Sequence, residues 1–342
     1  MSKDYKLIDI RRQHPTKIDT NSILWIYDVF DEETLSKWIS DQEPAYIVNE
    51  TLNNIEISGK KIYCVPLVAA IEASRSVLAL SSDQSYQTRY TFNFMINKKQ
   101  INRFLCMKFV ELFKLTKYDY TWSGVGTNFD LSSVLNELDQ LGDRSPLTTQ
   151  QKSYILSSIQ IPPKFISSPG EEKHSDSHIT YCGNPWVWKH VVNLMFSGSA
   201  TSLITESLSF QKGTLFSEKT VFALLGKTFP LWVGGGINQA QEFKKMGFDI
   251  FDDVIDHSYQ HYTTLIERCY YAFERNLHIL SDYDYASKIR ESMMPRLEHN
   301  QQLIKNKQID YFCRQQINQW PDELQQAIAR KVMHVFRDKY KG

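Results

Sequence analysis

Ser217, Glu218, Lys219 and Thr220 stand together as SEKT, between a short apolar end, TLF, and the helical run VFALLG. Ser217 is a strong helix N-cap, Glu218 opens the first turn, and Gly226 ends the helix. A helix start exposes unpaired N–H groups and the positive end of the dipole, which suits a phosphate. Lys219 adds a positive charge there, and the Glu218 carboxylate can accept two hydrogen bonds from a ribose diol. One turn can therefore hold both halves of a nucleotide, although the same letters also serve ordinary capping. Just downstream, the strand-like Phe229 to Val233 runs into Gly234, Gly235 and Gly236, where absent side chains allow a sharp turn or a close ligand.

These residues need a scaffold. Short apolar runs alternate with helical patterns: SILWIYDV at 22–29, PAYIVNE at 44–50, KIYCVPLV at 61–68, YTFNFMI at 90–96 and ATSLITE at 200–206. Such alternation predicts an α/β fold with an open, largely parallel sheet. Ligands of such sheets sit beyond the carboxyl ends of the strands, where both the Ser217 turn and the glycine loop fall. A strand, a basic turn and a helix bring Lys98, Lys99 and Arg103 to one edge of the sheet. The Gly-, Ser-, Asn- and Pro-rich texture from Gly124 to Asp176 predicts a connection with inserted loops. The division expected is an N-terminal domain over 1–125, a connection over 126–180, a C-terminal domain over 181–280 and a helical tail over 281–342, with breaks at Pro295 and Pro321.

Composition excludes some classes. Lys plus Arg and Asp plus Glu both total 39, so no global field attracts a polyanion, although the stretch from Lys288 to Lys341 carries eleven basic against six acidic residues. Five cysteines without a C-x-x-C pair indicate neither a zinc site nor a disulfide framework. No run of 18 apolar residues and no apolar leader is present, so no membrane span is expected, and the cytoplasm, or the host cytoplasm for a viral chain, is the expected compartment.

Taken whole, SLITESLSFQKGTLFSEKTVFALLGKTFPLWVGGG with MGFDIFDDVIDHSYQ resembles the nucleotide-sugar half of fucosyltransferase-like glycosyltransferases. The upstream FNFMINKKQINRFLCMKFVELF is similar to the strand, basic turn and Arg-bearing helix of that family. The resemblance implies two Rossmann-like domains facing a cleft, the GT-B arrangement, with C-terminal helices. It implies that Glu218 binds ribose, that Lys219 neutralises the pyrophosphate, that Arg103 is a second phosphate contact, and that Glu206 neighbours the sugar or leaving group. The glycine run is longer than the family pattern, and Trp232 stands where smaller apolar residues are usual, so transfer of fucose is not implied.

The chemistry expected is transfer of a sugar from a UDP-, GDP- or similar nucleotide sugar to an acceptor hydroxyl. Leaving-group charge is met by Lys219, Arg103 and the helix dipole, with no metal and no bound cofactor. The acceptor is a glycan, a small molecule or modified DNA. A general base must come from across the cleft, and Asp28, at the end of the first long apolar run, is placed for it, with Asp31 and Glu50 as alternatives. Asp282 and Asp284 match the letters of a D-x-D metal motif but read as a surface loop, and His174 and His178 read as a loop pair. Two other readings fit the same letters: a phage-type glycosyltransferase acting on hydroxymethylated DNA bases, and a catalytically silent nucleotide-binding protein.

Overall fold

The computed structural model describes residues 6–10, 20–26, 36, 44–49, 55–57, 59–64, 87–96, 100–122, 131–164, 192–206 and 217–328. Two sheets are built from them. The first contains β1 (Lys6–Ile10), β2 (Ser22–Ile26), β3 (Tyr46–Asn49), β4 (Ile55–Ile57) and β5 (Lys60–Cys64) in the order β1-β2-β3-β5-β4. All its pairings are parallel except β4 with β5, which join as an antiparallel hairpin next to Gly59 at φ +72°.

The second sheet is fully parallel. It contains β6 (Tyr90–Ile96), β7 (Tyr118–Trp122), β8 (Ser199–Ile204) and β9 (Phe229–Trp232) in the order β7-β6-β8-β9. The chain leaves β6 to one side for β7, then returns past β6 to add β8 and β9, so the topology reverses between β6 and β8. Crevices at such reversals, outside the carboxyl ends of the strands, are the ligand sites of open α/β sheets.

Side chains of this sheet split by strand periodicity. Phe92, Phe94, Leu203, Phe229 and Leu231 enter one core, while Met95, Ile204 and Trp232 enter the other. The first core is covered by α1 (Ile101–Leu112) and by α6 (Leu265–Arg275), which packs on α1. The second is covered by α4 (Glu218–Leu225), α5 (Gln239–Lys245) and α9 (Met294–Lys305). Apolar helices on both faces explain why β8 is buried along its whole length.

The second core also takes in Ile23, Trp25 and Val48 of the first sheet together with Trp320, Leu324 and Ile328 near the C-terminus. Tyr63 of β5 meets the Trp320 ring edge-on at 5.9 Å. The last helical stretch thus packs back toward the first sheet.

Strand β6 pairs with β7 on one side and with β8 on the other, so strands from both sides of residue 125 share one sheet. The described part of the expected loop region carries α2 (Ser132–Leu141) and α3 (Thr149–Ile155). Val134, Leu138 and Leu141 make the buried stripe of α2, and Thr148 with Gln151 closes a capping box on α3, so the polar letters there are caps and wetted faces. Of the helix expected from Pro185 to Phe196, the described part is a π-helical turn, Val192–Phe196.

Up to residue 328 the tail is helical. Helices α7 (Leu277–Ser281), α8 (Tyr283–Ser292), α9 and α10 (Gln308–Ile317) follow one another, with Pro295 in the first turn of α9 and Pro321 just before a helical stretch at 322–328. Pro in a first turn forfeits no hydrogen bond, which makes it a starting residue rather than a defect.

Candidate functional site

Four charged side chains gather at the reversal between β6 and β8. Arg103 comes from the first turn of α1, directly after β6, and Glu206 stands two residues beyond β8. Glu218 and Lys219 open α4. Arg103, Glu206 and Lys219 are almost wholly buried, whereas Glu218 keeps 27% of its side chain exposed and forms the open edge of the group.

Local chemistry fixes each member. Ser217 caps α4, its hydroxyl accepting from the Lys219 amide at 3.3 Å. The Glu206 carboxyl spans the same turn: Oε1 accepts from the Ser217 amide at 3.3 Å and from the Thr220 hydroxyl at 2.8 Å. Asn102 holds the strand end in place, donating from Nδ2 to the Glu206 carbonyl at 2.6 Å. Lys219 Nζ lies 3.0 Å from Glu218 Oε1. Beneath them the Trp232 indole N–H donates to Thr220 Oγ1 at 3.1 Å.

Burial and charge act against each other here. Burial pushes the Glu206 carboxyl above the usual carboxylate range, and the opposing pull of Lys219 and the two hydrogen bonds does not cancel it. For Glu218 burial acts upward too, but Lys219, by charge and by hydrogen bond, with Arg103 behind it, brings the carboxyl below its ordinary value. Burial lowers Arg103, with Glu218 and Glu206 opposing. Two cations and two carboxyl groups packed this closely form a site whose charge can be redistributed by an incoming anion.

The glycine loop has a packing role visible in the structure. Gly234 has φ +68°, and a Cβ there would meet Cys269 Sγ at 2.8 Å, Leu265 Cδ1 at 2.8 Å and Asn102 Cβ at 2.9 Å. A Cβ on Gly235 would run into the Gln239 amide. Gly234 thus lets β9 close against Asn102, the residue that holds the Glu206 strand end.

Of the residues singled out in the sequence, Arg103, Glu206, Ser217, Glu218, Lys219 and Thr220 are brought together, and Gly234 and Gly235 lie beside them. Asp28 lies outside the described residues, as do Asp31, Glu50, Lys98, Lys99, His174 and His178. Asn102 and Trp232 were not singled out as site residues. An amide side chain opening a helix after a strand, and an indole on a strand otherwise facing a helix, were the signals for them.

A cleft of about 550 Å³ lies beyond β9, lined among others by Asn238, Gln241, Asp256, His257, Gln260 and His278. Its carboxylates are engaged: Asp252 with Lys244 at 2.6 Å, Asp253 with Arg296 at 2.6 Å, and Asp256 with the Ser258 amide at 2.8 Å. Among the described residues no group of three His, Cys, Asp or Glu side chains is arranged to hold a metal ion. Asp282 of the D-x-D letters caps α8, accepting from the Tyr285 amide at 2.9 Å. No described helix is long and apolar enough to cross a membrane. The chain matches no protein-family model, no curated protein and no solved structure.

Proposed function

We propose that this protein is a glycosyltransferase that moves a sugar from a nucleotide-sugar donor to an acceptor hydroxyl, built as two Rossmann-like domains of the GT-B kind. The observation that carries the reading is the convergence of Arg103, Glu206, Glu218 and Lys219 at the carboxyl edge of a parallel sheet, where its topology reverses.

In this reading Glu218, the open carboxylate, takes the ribose diol. Lys219, Arg103 and the first amides of α4 take the diphosphate, and they stabilise the charge that develops on it as the glycosidic bond breaks. Binding requires Lys219 to exchange part of its contact with Glu218 for phosphate oxygens, which the 3.0 Å pair at the rim permits. The acceptor is a glycan, a small molecule or a modified DNA base, and its proton goes to a carboxylate from the N-terminal part of the chain, for which Asp28 is the candidate.

The test is a thermal-shift series of the full chain with UDP, GDP, CMP, dTDP and their sugar conjugates, repeated with Glu218→Ala and Lys219→Ala. At about 100 times its dissociation constant a ligand of the folded state adds roughly 2.7 kcal/mol of stability. One nucleotide family should raise the melting temperature of the native chain and of neither variant, each variant being checked for native circular dichroism. If no nucleotide shifts the native chain, the proposal is wrong.

A further inference from the structure

Glu206 is the odd member of the charged group. Its side chain is fully buried, and its two oxygens are treated unequally: Oε1 accepts two hydrogen bonds, whereas Oε2 has no hydrogen-bond partner at all. An ionised carboxylate buried with one oxygen bare is costly, while a carboxylic acid carries its proton on one oxygen and can leave the other as the acceptor. The observed pattern is the one a carboxylic acid needs, with Oε1 as the accepting carbonyl oxygen and Oε2 as the hydroxyl.

We infer that Glu206 carries a proton on Oε2 and donates it as a hydrogen bond to a non-bridging oxygen of a bound diphosphate, so that anion binding and occupancy of that proton are coupled. The inference rests on the nucleotide reading of the site and adds to it a proton-linked donor.

Charge decides the direction of coupling. The charged groups that act on the Glu206 carboxyl are Lys219 and Glu218 from α4 and Arg103 from α1; Ser217 and Thr220 are its neutral donors, and Trp232 reaches it through Thr220. With Glu206 ionised, two cations face two anions and the site has no net attraction for a further anion. With Glu206 neutral, two cations face one anion, and the site also offers an O–H where it otherwise presents a bare oxygen. An incoming diphosphate therefore prefers the protonated form and holds the proton in place. Burial, which already raises the affinity of this carboxyl for its proton, works in the same direction.

A phosphate group's own second ionisation, near pH 6, has the opposite sign. Ligand that becomes more anionic with rising pH should bind these cations more tightly, so weakening with rising pH cannot come from the ligand.

The experiment is calorimetric titration of the full chain with inorganic pyrophosphate and with the nucleoside diphosphate that stabilises it, at several pH values and in buffers of different ionisation enthalpy. Where Glu206 is ionised in the free protein, the native chain should take up a proton on binding and its affinity should fall by up to roughly tenfold per pH unit; at lower pH, where Glu206 already holds its proton, it should take up none. Glu206→Gln, which keeps a neutral N–H donor in place, should show no such uptake and no weakening as pH rises. A carboxylic acid C=O band should stand in the infrared spectrum of the native chain at neutral pH and be missing from the Glu206→Gln spectrum. Binding without proton uptake at every pH up to the alkaline limit of folding, or the same weakening with rising pH in Glu206→Gln as in the native chain, overturns the inference and leaves the nucleotide site standing. Absence of binding by pyrophosphate and every nucleotide overturns both.

Discussion

The indole N–H of Trp232 donates to Thr220 Oγ1, and the Thr220 hydroxyl donates onward to Glu206, so a buried three-residue relay connects the carboxyl end of β9 to the charged site. Removing one member of a buried polar relay leaves its neighbours unsatisfied at a cost in stability. Thr220→Val leaves both the indole N–H and Glu206 Oε1 short of a partner, and should cost about 1–3 kcal/mol in urea unfolding. Trp232→Phe should cost a comparable amount from the lost hydrogen bond and the smaller ring. In the double variant the two effects should fall short of their sum by about 0.5 kcal/mol or more, because one hydrogen bond is counted in both singles. Strict additivity would show that the relay does not act as a unit.

Gly234 and Gly142 both have positive φ, at +68° and +51°, but differ in surroundings. Nothing lies within 4 Å of a Cβ placed on Gly142, while one on Gly234 would enter Asn102, Leu265 and Cys269. Gly142→Ala should therefore cost only the backbone penalty of its conformation, φ +51° with ψ −129°, on the order of 1–3 kcal/mol. Gly234→Ala adds overpacking of about 1–3 kcal/mol to a backbone penalty of its own, and its pressure on Asn102 should also weaken nucleotide binding. Equal melting temperatures for the two variants would remove the packing role assigned to Gly234.

The difference between these glycines marks the limit of what sequence letters disclose. The GGG run signals backbone freedom, but whether that freedom admits a ligand or a neighbouring helix depends on α1 and α6, which arrive from residues more than 100 positions upstream and some 30 downstream. The α4 turn was legible because its causes are local: Ser217, Glu218 and Gly226 do their capping within one helix. Glu206 and Arg103 were legible as ends of a strand and start of a helix, but the unequal treatment of the two Glu206 oxygens arises from long-range packing. The crossing of β6 and β7 into the second sheet was hidden for the same reason, since apolar parallel strands carry no mark of their neighbours.

His257 offers a pH test outside the charged site. Its Nε2 lies 2.9 Å from the Ile250 carbonyl, which can only accept, so Nε2 carries the hydrogen, and Nδ1 is buried without a partner. Protonation would put a charge and an unmatched N–H into that space; burial, opposed by the Ile250 hydrogen bond and by Asp252 and Asp256, lowers the imidazole from 6.5 to about 4. The unfolded chain therefore binds the proton first as pH falls. Stability from this residue is complete above pH 6.5 and is lost between 6.5 and about 4, by at most roughly 3 kcal/mol. His257→Gln, whose amide can still donate to Ile250, should flatten the unfolding free energy across that window, and an unchanged acid limb would assign it to other groups.

Arg290 bears on how firmly α4 is anchored. It is buried, faces no carboxylate among the described residues, and spends its guanidinium on neutral oxygens: Nε donates to Lys227 O at 3.0 Å, one terminal nitrogen to Thr88 Oγ1 at 3.0 Å, and the other to Ser197 O at 2.8 Å and Gly226 O at 3.1 Å. Those oxygens belong to the approach to β6, the turn before β8 and the C-terminal end of α4, so one side chain from α8 ties together three segments. Only a planar fork reaches all of them at once, and a lysine ammonium cannot. Arg290→Met should cost about 3 kcal/mol or more, since several buried carbonyls lose their donor, and Arg290→Lys should recover only part of that loss. Because α4 carries Glu218 and Lys219, the proposed binding residues, at its other end, hydrogen exchange of the amides of Val221 to Leu225 should speed up in Arg290→Lys, while exchange in α10, which Arg290 does not touch, stays unchanged. Uniform acceleration through both helices would instead mean that Arg290 supports the fold as a whole and has no particular hold on the helix that presents Glu218 and Lys219.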